Sequence, residues 1–124
     1  MSPSKPTSIV RRFVECINAA DIDGIAALTA PTYTFTDMEG DVYVITGKAS
    51  VRASWNEYLS AHPQYRILVD RVLRSGEGVA LVGRTTGSHL SPGVEESELV
   101  LWIAELQNDR ICAWRIDSTL MCEA

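Results

Sequence analysis

The period of the apolar residues changes near the middle of the chain, and this change constrains the fold more than any other feature. After His62-Pro63, apolar and polar residues alternate in four long segments, residues 65–74, 78–89, 95–107 and 110–119. Short stretches rich in Gly, Ser, Pro and Asn separate these segments. Because tight turns join consecutive strands antiparallel, we predict a strongly curved antiparallel meander in the second half of the chain.

The first half of the chain has mostly helical periodicity. Thr7 and Ser8 can cap a first helix, Asp21 can cap a second, and a third follows Gly47-Lys48 and stops at His62-Pro63. Two short alternating segments, residues 33–37 and 42–46, predict a hairpin between the second and third helices. Three helices followed by a long meander predict an α+β fold, with the helices packed in the concave face of the sheet.

The length predicts a single domain. A chain of 124 residues can bury one sizeable core. The opening Met-Ser-Pro-Ser-Lys-Pro-Thr lacks the apolar core of a signal peptide, so we predict a disordered lead-in over residues 1–7 and one domain over residues 8–124. No apolar run approaches the roughly 20 residues that a membrane-spanning helix needs, so we expect no membrane partner.

Charge and cysteine usage limit the possible partners. The net charge of −5 argues against a nucleic-acid partner, which a basic surface would attract. Cys16, Cys112 and Cys122 are odd in number and lack Cys-x-x-Cys spacing, which favours a reducing cytoplasm. We expect Cys16 and Cys112 to be buried and Cys122 to be exposed in the tail. Two distant histidines give little support to a metal centre.

A series of short motifs carries a family resemblance. They are Asn18-Ala-Ala-Asp-Ile-Asp-Gly-Ile-Ala-Ala-Leu, Phe35-Thr-Asp, Gly47-Lys-Ala, His62-Pro with Tyr65, and Gly87-Ser-His. Through them the chain resembles the nuclear-transport-factor-two-like superfamily, and within it the SnoaL-like polyketide cyclases and ketosteroid isomerases. The resemblance implies a cone-shaped α+β barrel whose sheet wraps around the helices, with a small hydrophobic ligand at its open end. It also implies a cofactor-independent enzyme and a homodimer through the outer sheet face.

The resemblance to the isomerases assigns a general base. Their first-strand Asp matches Asp37, whereas their first-helix Tyr matches Phe13 and their second Asp falls near Ala104. Losing even one oxyanion donor typically costs about 10² to 10³ in rate, so we do not expect steroid isomerisation by that mechanism. Asp37 is therefore the predicted base, or alternatively a residue that caps the turn before Gly40.

A resemblance to epoxide hydrolases of this fold concerns two later strands. Arg84-Thr-Thr keeps their Arg but has Thr86 in place of their Asp. Asp117 stands one pleat before the position of their last-strand Asp, where this chain has Thr119. We predict that Arg84 stabilises an oxyanion and that Asp117 acts as an acid or base. The alternative is a structural ion pair of Asp117 with Arg115 or Arg84.

The remaining site residues form a predicted rim and wall. His89 follows Gly87-Ser88, where members of the superfamily often carry a histidine, and its alternative is an exposed loop position. The predicted wall of the substrate pocket consists of Phe13, Tyr33, Phe35, Trp55, Tyr58 and Trp102, and core packing is the alternative for the tryptophans. We assign His62 to a helix end, and Glu95, Glu96 and Glu98 to a solvated strand entry.

Three functional hypotheses follow. The first is an isomerase, cyclase or dehydratase that uses a carboxylate as general acid or base on a hydrophobic, polyketide-like or steroid-like carbonyl compound. The alternative is a non-catalytic ligand-binding or dimeric scaffold protein of the same fold. A third, weaker hypothesis is a protein-interaction module that uses the outer sheet face.

Overall fold

The computed structural model describes residues 5–75 and 78–118. Within these residues the chain forms four helices, α1 (Lys5–Asn18), α2 (Ile22–Ala27), α3 (Lys48–Ala61) and α4 (Pro92–Ser97). It also forms six strands, β1 (Thr29–Thr36), β2 (Val42–Thr46), β3 (Arg66–Ser75), β4 (Gly78–Thr86), β5 (Val100–Gln107) and β6 (Arg110–Ser118).

All six strands belong to one sheet, in the order β2-β1-β6-β5-β4-β3. Neighbouring strands are antiparallel except β1 and β6, which are parallel. The curved sheet is open, with β2 and β3 as its edges. The predicted α+β fold is confirmed, as is the meander from β3 to β6. The parallel pairing of β1 with β6 adds the first hairpin to this meander and makes one continuous sheet.

The first helix and the first strand begin earlier than predicted. α1 starts at Lys5 rather than at Thr7 or Ser8, so residues 5–7 of the predicted lead-in are helical. Pro6 fits there because the N–H that proline lacks has no helical partner in the first turn. β1 starts at Thr29 and includes Pro31, at a register shift against β6. A bulge accommodates a residue that cannot donate to the ladder. Residues 1–4 and 119–124, including Cys122, lie outside the described residues.

A fourth helix replaces part of a predicted strand. Residues 92–97 form α4, whereas the sequence pattern predicted a strand from Glu95. Ser91 precedes the helix with extended backbone angles and Pro92 occupies its first turn, where proline's fixed φ is favourable. The strand β5 therefore begins only at Val100, and Glu95 and Glu98 do not form a solvated strand entry.

The core lies between α1, α3 and the inner face of the sheet. Phe13 of α1 is fully buried and contacts Trp55 and Trp114 edge-on, at ring-centroid distances of 6.0 and 5.0 Å. At the end of α1, the Asn18 side chain accepts a hydrogen bond from the Ile67 N–H at 2.7 Å and donates one to the Ile67 carbonyl at 3.0 Å. These bonds fix the helix against β3, so α1 fills the bottom of the fold and leaves the other end open.

The cysteines match their predicted burial only in part. Cys16 is buried as predicted, but Cys112 is half-buried, and its Sγ donates to the Glu105 carbonyl at 3.4 Å. Cys16 is a free thiol. None of the helices in the described part of the chain has the length and apolar character to cross a bilayer.

Candidate ligand-binding site

A cavity of about 890 Å³ opens between the ends of β1, β5 and β6, the helix α3 and the loop after β4. Its wall is mostly aromatic and aliphatic. Five of the six side chains predicted as the wall line it: Tyr33, Phe35, Trp55, Tyr58 and Trp102. A cavity of this size can enclose a drug-sized molecule.

Two polar groups in the deep part of the cavity wall have no hydrogen-bond partner. The Tyr33 hydroxyl and the Trp102 Nε1 are buried without a partner among residues 5–75 and 78–118. The Trp55 indole lies close enough to the Tyr33 oxygen, and the Trp102 indole to the Tyr65 oxygen, to lower the pKa of each phenol, but neither contact has the distance and angle of a formed hydrogen bond. Burial raises the pKa of the Tyr33 phenol, so it keeps its proton and remains a donor at neutral pH. Each group can donate to an acceptor that enters the cavity.

A phenol and an imidazole are paired at the mouth. The Tyr58 hydroxyl lies 3.0 Å from Nδ1 of His89 and also accepts a hydrogen bond from the His89 N–H at 3.4 Å. Which group donates in the first contact depends on the tautomer of His89. Burial raises the pKa of the Tyr58 phenol, while the hydrogen bond from the His89 backbone lowers it and the charge of Glu95 raises it further. The His62 ring lies 4.6 Å from that of Tyr58 and also lines the cavity.

Glu95 holds the loop that carries His89. Its carboxylate accepts hydrogen bonds from the Thr85 hydroxyl at 2.9 Å, the Gly87 N–H at 3.1 Å and the Ser88 N–H at 2.8 Å. Burial alone raises the pKa of Glu95, but the Ser88 hydroxyl and N–H, the Thr85 hydroxyl and the Gly87 N–H together outweigh it, and the pKa lies below its ordinary value. This role of Glu95 was not predicted from the sequence, although a polar loop directly after a strand, followed by an acidic residue, is a signal for it.

Asp37 lies just after β1, lines the cavity and organises the β1–β2 turn. Its Oδ1 accepts hydrogen bonds from the N–H groups of Glu39 and Asp41, both at 3.0 Å. Its Oδ2 accepts one from the Tyr43 hydroxyl at 3.3 Å. These contacts match the turn-capping alternative. A carboxylate has about four acceptor positions, so one remains for a ligand proton.

Three predicted site residues lie outside the cavity wall. Phe13 belongs to the core, since its side chain is fully buried between Trp55 and Trp114. Arg84 and Asp117 lie on the outer face of the sheet, because side chains alternate along a strand and their neighbours Thr85 and Ile116 line the cavity. Asp117 instead pairs with Arg115, at 3.0 Å between Oδ2 and Nε, which is its predicted structural alternative.

One group of carboxylates has the spacing to hold a cation. Oxygen atoms of Asp37, Glu39 and Asp41 all lie within 4.8 Å of one another. The Asp37 side chain is half-buried and the other two are exposed. Because both Oδ1 contacts of Asp37 come from backbone amides of the same turn, the turn itself uses much of the binding capacity of this carboxylate.

Solved structures with the same fold come from several bacteria. A protein of Sinorhizobium meliloti whose proposed activity is that of a polyketide cyclase is 16% identical, with a TM-score of 0.72 over 89% of this chain and 94% of that chain. A SnoaL-like protein of unknown function from Burkholderia thailandensis is 19% identical, with a TM-score of 0.71 over 95% of this chain and 98% of that chain. A protein with a ketosteroid isomerase-like fold from Catenulispora acidiphila, solved in complex with trimethylamine, is 14% identical, with a TM-score of 0.70 over 87% and 82%.

The sequence comparison agrees with the structural one. No curated protein sequence matches the chain significantly. The family described as SnoaL-like domain matches residues 10–114, which span α1 to the middle of β6. The matched region includes every residue that lines the cavity except Ile116. The chain therefore belongs to the family of SnoaL-like domains.

Proposed function

We propose that this protein binds a small, largely apolar molecule with a carbonyl or similar acceptor in the cavity and catalyses proton transfer on it. The observation that carries this proposal is the pair of unpartnered donors, the Tyr33 hydroxyl and the Trp102 Nε1, in an otherwise apolar cavity. A buried donor without a partner costs roughly 1 to 3 kcal/mol, and a ligand acceptor would remove that cost. The cavity volume of about 890 Å³ suits ring systems of polyketide or steroid size.

The Tyr58–His89 pair is the proposed proton-transfer group. When Nδ1–H of His89 donates to the Tyr58 oxygen, Nε2 keeps its lone pair and can take a proton from the carbon next to the carbonyl. The C–H electron pair then forms the enolate, whose oxygen a buried donor stabilises. Return of the proton to the same or a conjugated carbon completes an isomerisation without any cofactor.

Asp37 is the rival base and the one that the family resemblance assigns. It lines the same cavity, but it already accepts three hydrogen bonds in its turn. We therefore assign the larger part of proton transfer to His89. The two assignments predict opposite outcomes for matched variants, since His89→Gln and Asp37→Asn each remove one candidate base and keep the size of the side chain.

Deuterium exchange on a bicyclic ketone tests the proposal. With α-tetralone as the probe, ¹H NMR in D₂O follows exchange of the protons next to the carbonyl. We expect the wild-type protein to accelerate exchange and His89→Gln to lose most of that acceleration, with Asp37→Asn retaining more of it. Loss only in Asp37→Asn would transfer the role of base to Asp37, and no acceleration by bound wild-type protein would refute catalysis of this step.

Non-catalytic ligand binding is the second candidate function. The observation that favours it is that the carboxylates of Asp37 and Glu95 both serve loop structure. Under this alternative, the ketone binds in the cavity but its protons exchange at the rate measured in buffer alone.

We retain the predicted homodimer through the outer sheet face and the cytoplasmic location as parts of the main proposal.

A further inference from the structure

The charged side chains around the cavity all have the same sign. Asp37 follows β1, Glu39 lies in the β1–β2 turn and Glu57 comes from α3, and all three line the cavity. All eleven lysines and arginines of the chain fall within the described residues, yet none of them lines it. Two histidines, His62 and His89, are also in the wall.

Within the described part of the chain, no ion pair joins a basic side chain to these carboxylates. The ion pairs that the structure shows, Lys5–Asp109, Arg52–Asp23 and Arg115–Asp117, use none of them. The Tyr43 phenol at the mouth responds to the same field: its pKa is raised, first by the charge of Asp37 and then by burial and by Asp41 and Glu39. The mouth therefore has a negative potential that favours cations and repels anions.

The wall also offers aromatic rings, which attract cations at their faces. Tyr58 and Tyr65 meet edge-on, with ring centroids 5.1 Å apart and planes at 86°. Phe35 and Tyr43 stack at 6.0 Å with planes at 25°. All four line the cavity together with Trp55 and Trp102. An ammonium group against such faces gains about 0.5 to 2 kcal/mol, and more as water is excluded.

An independent observation points to a ligand in the same cavity. The Tyr33 and Trp102 side chains are 1% and 0% exposed, and each has a polar atom without a partner among the described residues. Their donors need an acceptor in the deep part of the cavity, whereas the carboxylates at the mouth need a positive charge. One elongated molecule with an acceptor at one end and a cation at the other satisfies both.

We propose that the ligand is cationic: a small apolar compound with a carbonyl-type acceptor that reaches the buried donors and an amine or quaternary ammonium group that lies at the acidic mouth. This inference rests on the proposed function and narrows it to a substrate class. We expect carboxylate and phosphate compounds of the same shape to bind more weakly, because the negative potential of the mouth repels anions.

Three para-substituted acetophenones separate this inference from the proposed function. They share the ketone and the ring but carry different groups: para-acetyl-N,N,N-trimethylanilinium is a cation, para-tert-butylacetophenone is its neutral isostere and para-acetylbenzoate is an anion. Isothermal titration calorimetry at pH 8 and low salt measures each Kd. We expect the cation to bind roughly tenfold more tightly than the neutral ketone and the anion to bind more weakly than either.

Matched charge variants locate the effect. Glu57→Gln removes one charge at the mouth, while Glu105→Gln removes one from an exposed side chain on β5 that does not line the cavity. We expect Glu57→Gln to weaken binding of the cation more than that of the neutral ketone. Because both variants change net charge equally, Glu105→Gln should leave the ratio of the two Kd values as in wild type.

The outcomes distinguish the two proposals. If none of the three compounds binds, the proposed function fails. If the neutral ketone binds and the cation binds no more tightly, the charge inference fails while the proposed function stands. Glu57→Gln and Glu105→Gln could also reduce the preference for the cation equally. That result would show that the preference reflects net charge, and it would overturn the proposal that the cation binds at the mouth.

Discussion

At the scale of single residues, the backbone conformation at position 87 requires glycine. It has a φ of +67°, and a Cβ there would collide with the backbone of Gln64. The N–H groups of Gly87 and of the next residue, Ser88, both donate hydrogen bonds to the Glu95 carboxylate. The loop that carries His89 therefore depends on a residue without a side chain.

We predict that Gly87→Ala lowers the free energy of unfolding by about 1 to 3 kcal/mol, because it adds both left-handed backbone strain and a collision. Urea denaturation measures the change. Gly93→Ala is the matched control, since a Cβ at Gly93 meets nothing within 4 Å and alanine is a better helix former in α4. Equal stability of the two variants would show that Gly87 is not constrained as described.

Residue patterns in the sequence predicted which side chains share a face, but they could not decide which face is the inner one. The alternation correctly separates Arg84 from Thr85 and Asp117 from Ile116. Both faces of β4 to β6 are largely apolar, however, because half-buried residues such as Val82 and Leu101 lie on the outer side. Hydrophobicity therefore could not show which face of the sheet lines the cavity. The predicted roles of Arg84 and Asp117 require the inner face, whereas both residues lie on the outer face.

At the scale of elements, the connection from β4 through α4 fixes the mouth of the cavity. Glu95 on α4 binds three donors of that connection. A glutamine at this position keeps a single acceptor oxygen and places an amide group where Glu95 accepts hydrogen bonds. We predict that Glu95→Gln lowers the Tm at neutral pH, which differential scanning calorimetry measures, and disturbs the Tyr58–His89 contact.

The pKa of Glu95 sets the pH dependence of this effect. Because its pKa is below the ordinary value in the folded state, the carboxylate contributes stability above the unfolded-state pKa of about 4.3. That contribution is lost as the pH falls through the lower folded-state pKa. The Tm difference between wild type and Glu95→Gln should therefore shrink below about pH 4. A Tm difference that does not change with pH would refute the role of the charge. The matched control is Glu96→Gln at an exposed position, which should change the Tm little at neutral pH and below about pH 4.

Elements with strong local signals were predictable from the sequence. Asp21 caps α2 by accepting from the Gly24 N–H at 3.0 Å, β2 occupies the predicted residues 42–46, and α3 ends before His62-Pro63. The helix α4 was missed because six residues are too few to establish a helical period, and an alternating run from Glu95 onwards resembled a longer strand. The β1–β6 pairing joins residues about 80 apart, and no local pattern encodes such a contact.

At the scale of the whole molecule, we expect the homodimer contact on the outer face of the sheet. Leu68 and Leu73 are 50% and 45% exposed on β3, and the half-buried Leu101 and Ile103 continue this apolar surface on β5. We expect size-exclusion chromatography with light scattering to give twice the mass of one chain. Leu101→Lys should shift the protein to the monomer, because it places a charge in the apolar contact.

Two controls accompany the Leu101→Lys experiment. Far-UV circular dichroism checks that the variant is folded. We expect it to fold, because Asp117 lies opposite Leu101 on β6 and can pair with the new lysine in the monomer. Ser60→Lys introduces the same residue at an exposed position on α3 and should stay dimeric. A wild-type protein that is monomeric at micromolar concentration would contradict the predicted dimer.

The indole N–H of Trp102 gives the most direct test of the central claim that the cavity binds a ligand through its unpartnered donors. In ¹H–¹⁵N NMR, each of the three tryptophans gives one indole resonance, and Trp102→Phe and Trp114→Phe assign two of them. On titration with para-tert-butylacetophenone we predict a saturable downfield shift of the Trp102 resonance, as expected for a new hydrogen bond. The Trp114 Nε1 is also buried without a partner among the described residues, but Trp114 lies in the core outside the cavity wall, so its resonance should move little. A Trp102 resonance that does not move while the ketone binds, or that moves no more than that of Trp114, would contradict the account.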